Sequence, residues 1–550
     1  MSLKPQTIPP IPEQTARIAK AAFRKGNLYL NMRDTFGSFY TDELFTDLFS
    51  KEGSPAQAPW RLALICVMQF AEGLSDRQAA DAVRSRIDWK YALSLELTDD
   101  GFDYSVLSQF RQRLVEGQAE LRLLDTLLTL FVERGLLKAG GKQRTDSTHV
   151  LAAVRFLNWL ELVGETLRHA LESLATLVPD WLQRQIPVEW YDRYGNRMEN
   201  YRFPKTDKAR QELAAVIGAD GLLLLEKVDQ ATMMPWLREI EAVVTLRQVW
   251  ADRFTDPPGP LRFKQAAERA ASAELIASPY DTEARYSTKR EMSWVGYKVH
   301  LTETCDRARP NLITDVLTTV GTSPDENKLP LIQASLKARE LLPSEHFVDA
   351  GYTDAGVLAE SQNTYGVVVT GPVTLDPSWQ LQAGKGFDKT RFVVDWEAQV
   401  VTCPAGKTSL SFRPCAEPEA KRCSWHVRFA KKDCDACEHR GDCTRAKTEP
   451  RELMLQTQEE YEALHAARRR QKTPEFKAAY KARSGIESTH EQGIRRCGLR
   501  HARYIGLAKT RLQHILTAAA LNLVRVNEWL FGAPRAKTRI SRFAQLAPAA

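Results

Sequence analysis

Three acidic residues of this 550-residue chain occupy segments that could place them at one metal centre. Asp146 lies in the strand-like segment RTDSTHV, Asp349 follows a short apolar run in FVDAGY, and Glu487 lies in the helical segment YKARSGIESTHEQ. Phosphoryl transfer needs an activated oxygen nucleophile and a stabilised leaving oxygen, and two Mg²⁺ ions held by carboxylates supply both. The acids are far apart in sequence, so only the fold can bring them together.

Each acid also has a plain structural interpretation. Asp146 could cap a turn, Asp349 could end a strand before a glycine turn, and Glu487 could be a solvated helix residue. Two neighbouring acids compete for the same roles, namely Asp354 after Asp349 and Glu491 one helical turn after Glu487. The residue types and their spacing leave these alternatives open.

Glu487 lies in the most basic part of the chain. Residues Arg468 to Arg511 contain thirteen Lys or Arg against three Glu, a net charge of +10, whereas the whole chain carries +7. Positive charge of this density is typical of surfaces that bind polyanions. Within it, Tyr480, Arg483 and Glu487 fall on one helical face, which suits a terminal base, a phosphate and a metal ion respectively.

The segments around the acids predict an ordered series of elements. Three strands are predicted at 142–154, 294–305 and 311–321, followed by a helix over DENKLPLIQASLKAREL. Strands return at 345–352 and 365–373, before the helix that carries Glu487. This is the element order of an α/β RNase H-like core of the retroviral-integrase type, here with two long insertions.

The predicted division of the chain follows from this order. It comprises an all-helical N-terminal DNA-binding region 1–135, the first core strand 136–155, a long helical insertion 156–290, core strands and helices 291–374, a cysteine-rich insertion 375–445, the catalytic and C-terminal helices 446–532 and a disordered basic tail 533–550.

The N-terminal region contains a candidate helix-turn-helix. Ser75 and Gln78 form a capping box at the start of LSDRQAADAVRSRIDWKYAL, and a second helix is predicted to begin near Ser105. Two helices across a tight turn would present Arg111 and Arg113 to DNA phosphates. The alternative is an ordinary helical bundle with solvated arginines.

The cysteines are clustered, because six of the nine lie between Cys403 and Cys443. Cys434 and Cys437 form a CxxC pair that, with Cys403 and Cys443, could supply four thiolates for a structural Zn²⁺. Reserve ligands are Cys415, Cys423, His426 and His439. The alternative is a set of reduced free thiols, since no thioredoxin-like context favours a redox site. Zinc would stabilise an insertion too small to bury a core of its own.

The sequence also predicts a compartment. No apolar run approaches the roughly 20 residues of a membrane span, and the N-terminal segment has no apolar core of a secretion signal. Clustered cysteines in such a chain favour metal binding over disulfides. We therefore expect a cytoplasmic protein with no membrane partner.

Three segments resemble the motifs of bacterial insertion-sequence transposases of the DDE class: RTDSTHV, FVDAGY and YKARSGIESTHEQGIRRCGLRHARYIGLAKTRLQH. The Tyr-x2-Arg-x3-Glu pattern of that family falls on Tyr480, Arg483 and Glu487, which selects Glu487 over Glu491. The basic residue that the broader pattern expects seven positions after the glutamate falls on Ile494 instead. The resemblance covers most of the chain, including LSDRQAADAVRSRIDWKYAL and FDYSVLSQFRQRL on the N-terminal side.

The resemblance implies an enzyme in which Asp146, Asp349 and Glu487 hold two Mg²⁺ or Mn²⁺ ions. It implies double-stranded DNA partners, namely terminal inverted repeats and target DNA, a dimer in the synaptic complex, and a nucleoid-associated protein of the bacterial cytoplasm. The DNA-contacting candidates are Tyr480, Arg483, Arg495, Arg496, Arg500, Arg111 and Arg113. The rival functions are an RNase H-like nuclease without strand transfer and a catalytically inactive, domesticated DNA-binding regulator.

Overall fold

The structure is a computed structural model that describes residues 1–198, 203–255, 261–271, 273–289, 291–415, 424–532, 542 and 546. Its first part is helical, as predicted. The helices are α1 Glu13–Ala22, α2 Leu28–Phe36, α3 Pro59–Glu72, α4 Asp76–Ser85, α5 Ile87–Ala92, α6 Ser105–Glu116 and α7 Arg122–Glu133. The predicted capping box is confirmed, because the side chains of Ser75 and Gln78 each accept from the other residue's backbone at the start of α4.

The tight helix-turn-helix is not formed. The connection from α5 to α6 spans residues 93–104, twelve residues, whereas the motif uses a turn of three or four. The predicted single helix also breaks at Arg86, whose extended backbone separates α4 from α5. Tertiary packing rather than a local turn therefore positions α6.

A long strand and a helical unit follow. Strand β1 spans Lys142–Leu151, and it is succeeded by α8 Trp159–Leu177, α9 Pro179–Gln185, α10 Glu189–Tyr194, α11 Asp207–Gln230 and α12 Glu241–Arg253. These helices enclose a hydrophobic core of their own, in which the apolar faces of α8, α11 and α12 meet. The unit lies in the chain between β1 and the remaining strands of the sheet.

The sheet that carries β1 is completed by β2 Arg285–Lys289, β3 Met292–Thr304, β4 Ile313–Val320, β5 Glu345–Phe347 and β6 Val368–Thr370, with α13 Leu329–Ala338 and α14 Ala355–Tyr365 between the later strands. Strand β3 is antiparallel to β1, β2 and β4, whereas β5 is parallel to both β1 and β6. The three antiparallel strands β4, β3 and β1, extended by the two parallel strands β5 and β6, are the pairing expected of an RNase H-like core, and β2 adds a fourth antiparallel strand.

The predicted strands are confirmed, although most are shorter than predicted, and β2 was not predicted. Strand β5 ends at Phe347, so Asp349 lies beyond it and caps a 3₁₀ turn at Ala350–Tyr352. The sequence EHFVDAGY is apolar enough for a longer strand, but the side chain of Asp349 binds the amide of Ala350 and starts the turn instead.

The cysteine-rich segment forms a small separate unit. Its elements are α15 Trp379–Ala383, β7 Val393–Asp395, β8 Val400–Thr402, β9 Ser409–Pro414, β10 Trp425–Phe429, α16 Lys431–Asp435, α17 Arg440–Cys443 and β11 Glu452–Leu455. Strands β9, β10 and β11 form an antiparallel sheet over a small core, in which six apolar side chains of the described residues are buried, including Phe392 and Phe429. Cys423 and most of the predicted tail 533–550 lie outside the described residues.

The last helices are α18 Gln458–Gln471, α19 Pro474–Tyr480, α20 Gly485–Cys497 and α21 Leu507–Leu530. Helix α21 is buried along most of its length and packs against β4 on one side and α3 and α7 on the other. The N-terminal helices and the sheet therefore share one hydrophobic core instead of forming two. No helix among the described residues is both long and apolar enough to cross a membrane.

A buried charged cluster fastens α20 and α21 to the sheet. Glu303 on β3 has no solvent-exposed surface, and it accepts hydrogen bonds from Arg144 on β1 at 2.7 Å, Arg525 on α21 at 2.7 Å and Thr489 on α20 at 2.6 Å. Burial alone would raise the pKa of Glu303, but the charges of Arg525 and Arg144 outweigh it and hold the pKa below its ordinary value. We call these four residues the Glu303 cluster.

We expect Glu303→Gln to lower the free energy of unfolding by about 3 kcal/mol, because it leaves two buried guanidinium groups facing a neutral amide. The measurement is the urea midpoint. Since the folded-state pKa is depressed, this stability is present above the unfolded-state pKa of roughly 4.3 and is lost as the pH falls through the folded-state value. The difference between wild type and variant should therefore shrink on acidification below about pH 4.3.

The matched control is Glu345→Gln on β5, whose partner Lys142 is half exposed at 2.8 Å. A surface pair of this kind contributes about 1 kcal/mol or less. Equal urea midpoints for the Glu303 and Glu345 variants would contradict the role of the Glu303 cluster.

Candidate active site

Asp146 occupies the middle of β1, where pairing with Leu301 of β3 fixes its backbone. Its Oδ1 accepts a hydrogen bond of 2.8 Å from the amide of Ser147, and its side chain is only 14% exposed. Burial raises the pKa of Asp146, and the nearby carboxylate of Asp349 adds to the rise, whereas the charge of Arg483 opposes it. Asp146 is thus a largely buried carboxylate that depends on a neighbouring cation.

The fold brings all three predicted acids to one guanidinium group. Arg483 Nη2 lies 2.7 Å from Asp146 Oδ2 and 3.5 Å from Asp349 Oδ2, and Nη1 lies 3.3 Å from Glu487 Oε1. The Asp349 and Glu487 side chains are 47% and 67% exposed, so the group opens to solvent on that side. We call these four residues the carboxylate cluster.

The two competing acids do not join this cluster. Asp354 accepts from the amide of Gly356 and caps α14, and Glu491 pairs with Arg495 on the solvent face of α20. Their carboxylates are therefore engaged in local helix contacts. The geometry favours Asp349 over Asp354 and Glu487 over Glu491.

The Glu303 cluster explains why α20 presents Glu487 at this place. Arg144, two residues before Asp146, extends beneath the start of the helix and donates to the carbonyl of Ala482 at 2.5 Å. A Cβ at Gly485 would lie 2.0 Å from the Arg144 guanidinium, so only glycine leaves room for this contact. Strand β1 thereby fixes both its own acid and the helix that supplies the third.

Two side chains beside the cluster were not anticipated. His490, one turn after Glu487, is buried against the backbone of Asp146, and burial lowers its pKa to about 4, so the ring is neutral. Phe476 stacks on Tyr480 with ring centroids 5.6 Å apart and planes only 9° from parallel. Helical spacing from Glu487 and Tyr480 is the sequence signal that would have found both residues.

The predicted basic residues of α20 and the following turn differ in their contacts. Arg495 is 71% exposed and pairs only with Glu491, whereas Arg496 donates to the carbonyl of Ala71 at 2.7 Å. Arg500 reaches Thr148 on β1, with Nε 3.4 Å from Oγ1. Of the three, Arg500 is tied to the strand that carries Asp146.

The two N-terminal arginines are engaged within the protein. Arg111 is 5% exposed, pairs with Asp76 at 2.5 Å and faces the ring of Tyr504. Arg113 donates to the carbonyl of Leu48 at 3.1 Å and lies over the ring of Phe49. A phosphate cannot reach Arg111 in this structure, so the expectation of a DNA contact there is corrected. Asp76 on α4, Gln69 on α3 and the ring of Tyr504 surround its guanidinium, and these contacts join segments distant in the chain.

The four predicted zinc ligands face one small cavity of about 30 Å³, which also borders Phe392 and Phe429. Cys403, Cys434, Cys437 and Cys443 are free thiols. Cys403 Sγ accepts from the amide of Lys407 at 3.4 Å. Burial raises the pKa of the Cys443 thiol to about 11, and the three neighbouring thiols add to the rise.

No group of three or more His, Cys, Asp or Glu side chains among the described residues is arranged closely enough to hold a metal ion. The four thiols line a shared cavity but are not close enough to one another to coordinate one ion. In the carboxylate cluster, Arg483 lies between the acids.

Two family models match the chain. Residues 402–527 match a model described as "Transposase DDE domain", and residues 18–113 match one described as "Transposase domain (DUF772)". The first match includes Glu487 and the four thiols but neither Asp146 nor Asp349. No curated protein and no solved structure matches the chain.

The strand pairing, the converging acids and the first match define a DDE-type transposase domain with an RNase H-like core. The second match adds a transposase domain over the N-terminal helices. Together the two matches support an insertion-sequence transposase of the DDE class. A transposase implies a DNA partner.

Proposed function

We propose that this transposase binds the terminal inverted repeats of its element and catalyses metal-dependent cleavage and strand transfer at the carboxylate cluster. The observation that carries the proposal is the convergence of Asp146, Asp349 and Glu487 on one guanidinium, within 2.7–3.5 Å. The three acids lie more than a hundred residues apart in the chain, so the fold itself assembles them into a site for a positive charge.

The donor chemistry of the cluster fits a hard divalent cation. Three carboxylates supply oxygen ligands, and the side that carries Asp349 and Glu487 is open to solvent. Bound Mg²⁺ or Mn²⁺, held by Asp146, Asp349 and Glu487, would activate the attacking oxygen and stabilise the leaving oxygen. Arg483 would then exchange its carboxylate partners for a DNA phosphate, which its planar guanidinium binds equally well.

The reaction has two steps of phosphoryl transfer. Water attacks a phosphodiester at the element end, breaks the bond to the 3′ oxygen and leaves a 3′-hydroxyl and a 5′-phosphate. That hydroxyl then attacks a phosphodiester of target DNA, so one bond forms as one breaks. Tyr480, stacked on Phe476, offers a flat surface beside the cluster for the terminal base.

The remaining parts of the proposal concern assembly. Joining two element ends requires two active sites, so we propose a dimer in the synaptic complex. We also propose that the protein acts on bacterial DNA in the cytoplasm. The N-terminal helices would recognise the terminal repeats through exposed side chains rather than through Arg111. Joining of pre-cleaved end DNA to a target separates this proposal from a nuclease that only cuts.

We expect Asp146→Asn, Asp349→Asn and Glu487→Gln each to reduce cleavage and joining at least about 100-fold, because transition-state charge loses its stabilisation. DNA affinity should stay within about threefold, since it depends on lysines and arginines. Cleavage of labelled end DNA and a gel-shift titration measure the two effects. Asp354→Asn and Glu491→Gln are the matched controls and should retain activity; loss of activity in the Glu491 variant but not in the Glu487 variant would reassign the third acid.

We further propose that the four thiols bind one structural Zn²⁺, which would supply four bonds to a unit whose apolar core is small. Protein purified without chelator should contain about one zinc per chain by elemental analysis. Cys434→Ser should lower the zinc content and the thermal midpoint, whereas Cys305→Ser, outside the cavity, should leave the zinc content unchanged. Absence of zinc from the wild-type protein would leave the cluster as plain thiols.

Phosphate contacts by the basic segment are testable through salt dependence. Arg500→Ala and Arg495→Ala should weaken binding to end DNA and unrelated DNA alike, because phosphate contacts carry no sequence information. Each lost contact should reduce the slope of log affinity against log salt by about 0.9. Lys208→Ala, 89% exposed on α11, is the control. Unchanged affinity and slope in both arginine variants would mean that this surface is merely solvated.

A further inference from the structure

The strand that precedes Asp349 does not hold that residue in place. Strand β5 ends two residues earlier, at Phe347, and the Asp349 carboxylate accepts a backbone hydrogen bond from the amide of Ala350. Asp146, in contrast, lies within a paired strand. The distance between the two acids must therefore be set by contacts elsewhere in the turn.

Tyr352, the last residue of that turn, supplies such a contact. Its side chain is completely buried, and its amide donates to the carbonyl of Asp349 at 3.1 Å. Its hydroxyl lies 2.6 Å from Nδ1 of His300. Burial lowers the pKa of His300 to about 4 and raises that of Tyr352 well above its ordinary value, so both groups are neutral and the phenol keeps a proton to donate.

His300 links the turn to the strand of the first acid. It lies on β3 directly opposite Ser147 on β1, the residue after Asp146. The hydroxyl of Ser147 donates to Asp325 at 3.0 Å, and its amide donates to Asp146 at 2.8 Å. Asp325 is in turn paired with Lys298, two residues before His300 on β3, at 3.2 Å. The turn, β3 and β1 are thus connected by polar contacts that end beside Asp146.

We propose that Tyr352 is a positioning residue, whose hydroxyl bond to His300 fixes Asp349 at the place opposite Asp146 where both carboxylates can hold the same cation. This inference rests on the proposed function and adds to it a residue outside the acid triad. Because Tyr352 is completely buried, it would act through Asp349.

The test is divalent-metal binding by the full-length protein. Tyr352→Phe keeps the buried ring and removes only the hydroxyl. We expect its affinity for Mn²⁺, measured by electron paramagnetic resonance of free Mn²⁺ in the absence of DNA, to fall about tenfold, as for other residues that orient metal ligands. The Mn²⁺ concentration that gives half-maximal cleavage should rise by a similar factor.

Tyr297→Phe is the matched control. Tyr297 is equally buried on β3, but its hydroxyl donates to Asp281 at 2.6 Å, away from the acids. Both variants lose one buried hydroxyl bond and should lose similar thermal stability, while only Tyr352→Phe should lose Mn²⁺ affinity. A Tyr352 variant with wild-type affinity, or a Tyr297 variant with the same loss, would overturn the inference.

A double variant shows whether Tyr352 acts through Asp349. In an Asp349→Asn background, adding Tyr352→Phe should cost little further Mn²⁺ affinity, since the ligand that it positions is already lost. Additive losses would contradict the assigned route. If the wild-type protein cuts end DNA but Tyr352→Phe is unaffected, the positioning role alone fails; if the wild type neither binds Mn²⁺ nor cuts, the proposed function fails as well.

Discussion

The placement of the site depends on the hydrogen bonds that the buried carboxylate of Glu303 accepts. A carboxylate without solvent contact must be fully paired, and here its partners come from β1, α20 and α21. Arg144, Thr489 and Arg525 lie 159, 186 and 222 residues from Glu303 in the chain, yet their elements supply the first acid, the third acid and the helix that covers the sheet. Removing the charge would disturb all three at once. The Glu303 cluster therefore contributes more to the relative placement of β1, α20 and α21 than to the free energy of unfolding.

Arg483 has the opposite character, since two of its three carboxylate partners, Asp349 and Glu487, are open to solvent and can be exchanged. Three carboxylates around one guanidinium give a local charge of −2, and desolvation of Asp146 makes that excess costly. The positive charge that holds the three carboxylates together is thus the guanidinium of Arg483. The excess negative charge would favour its replacement by a cation of higher charge. In the function that we propose, the same guanidinium, once released, would bind the DNA backbone.

Helix α21 makes the N-terminal transposase domain continuous with the catalytic sheet. Helices α3 and α7 cover one face of this helix and β4 covers another, so the helix is buried on nearly all sides. Arg111 is buried under this arrangement and pairs with Asp76 instead of DNA. A shared core also means that DNA bound by the N-terminal helices would be held rigidly with respect to the acids. The helical unit at α8–α12 differs, since it has a core of its own.

The sequence by itself determined the helices and strands, because alternation, capping and turn residues act over short distances. The strand that carries Asp146, strand β3, the capping box at Ser75 and the motif around Glu487 all follow from local sequence patterns. The sequence also identified the three acids, through residue types and a family resemblance. Only the tertiary structure decided which charges are buried. The roles of Arg111, Glu303, His300 and Tyr352 depend on contacts between segments distant in the chain, and a single sequence carries no local signal for such contacts.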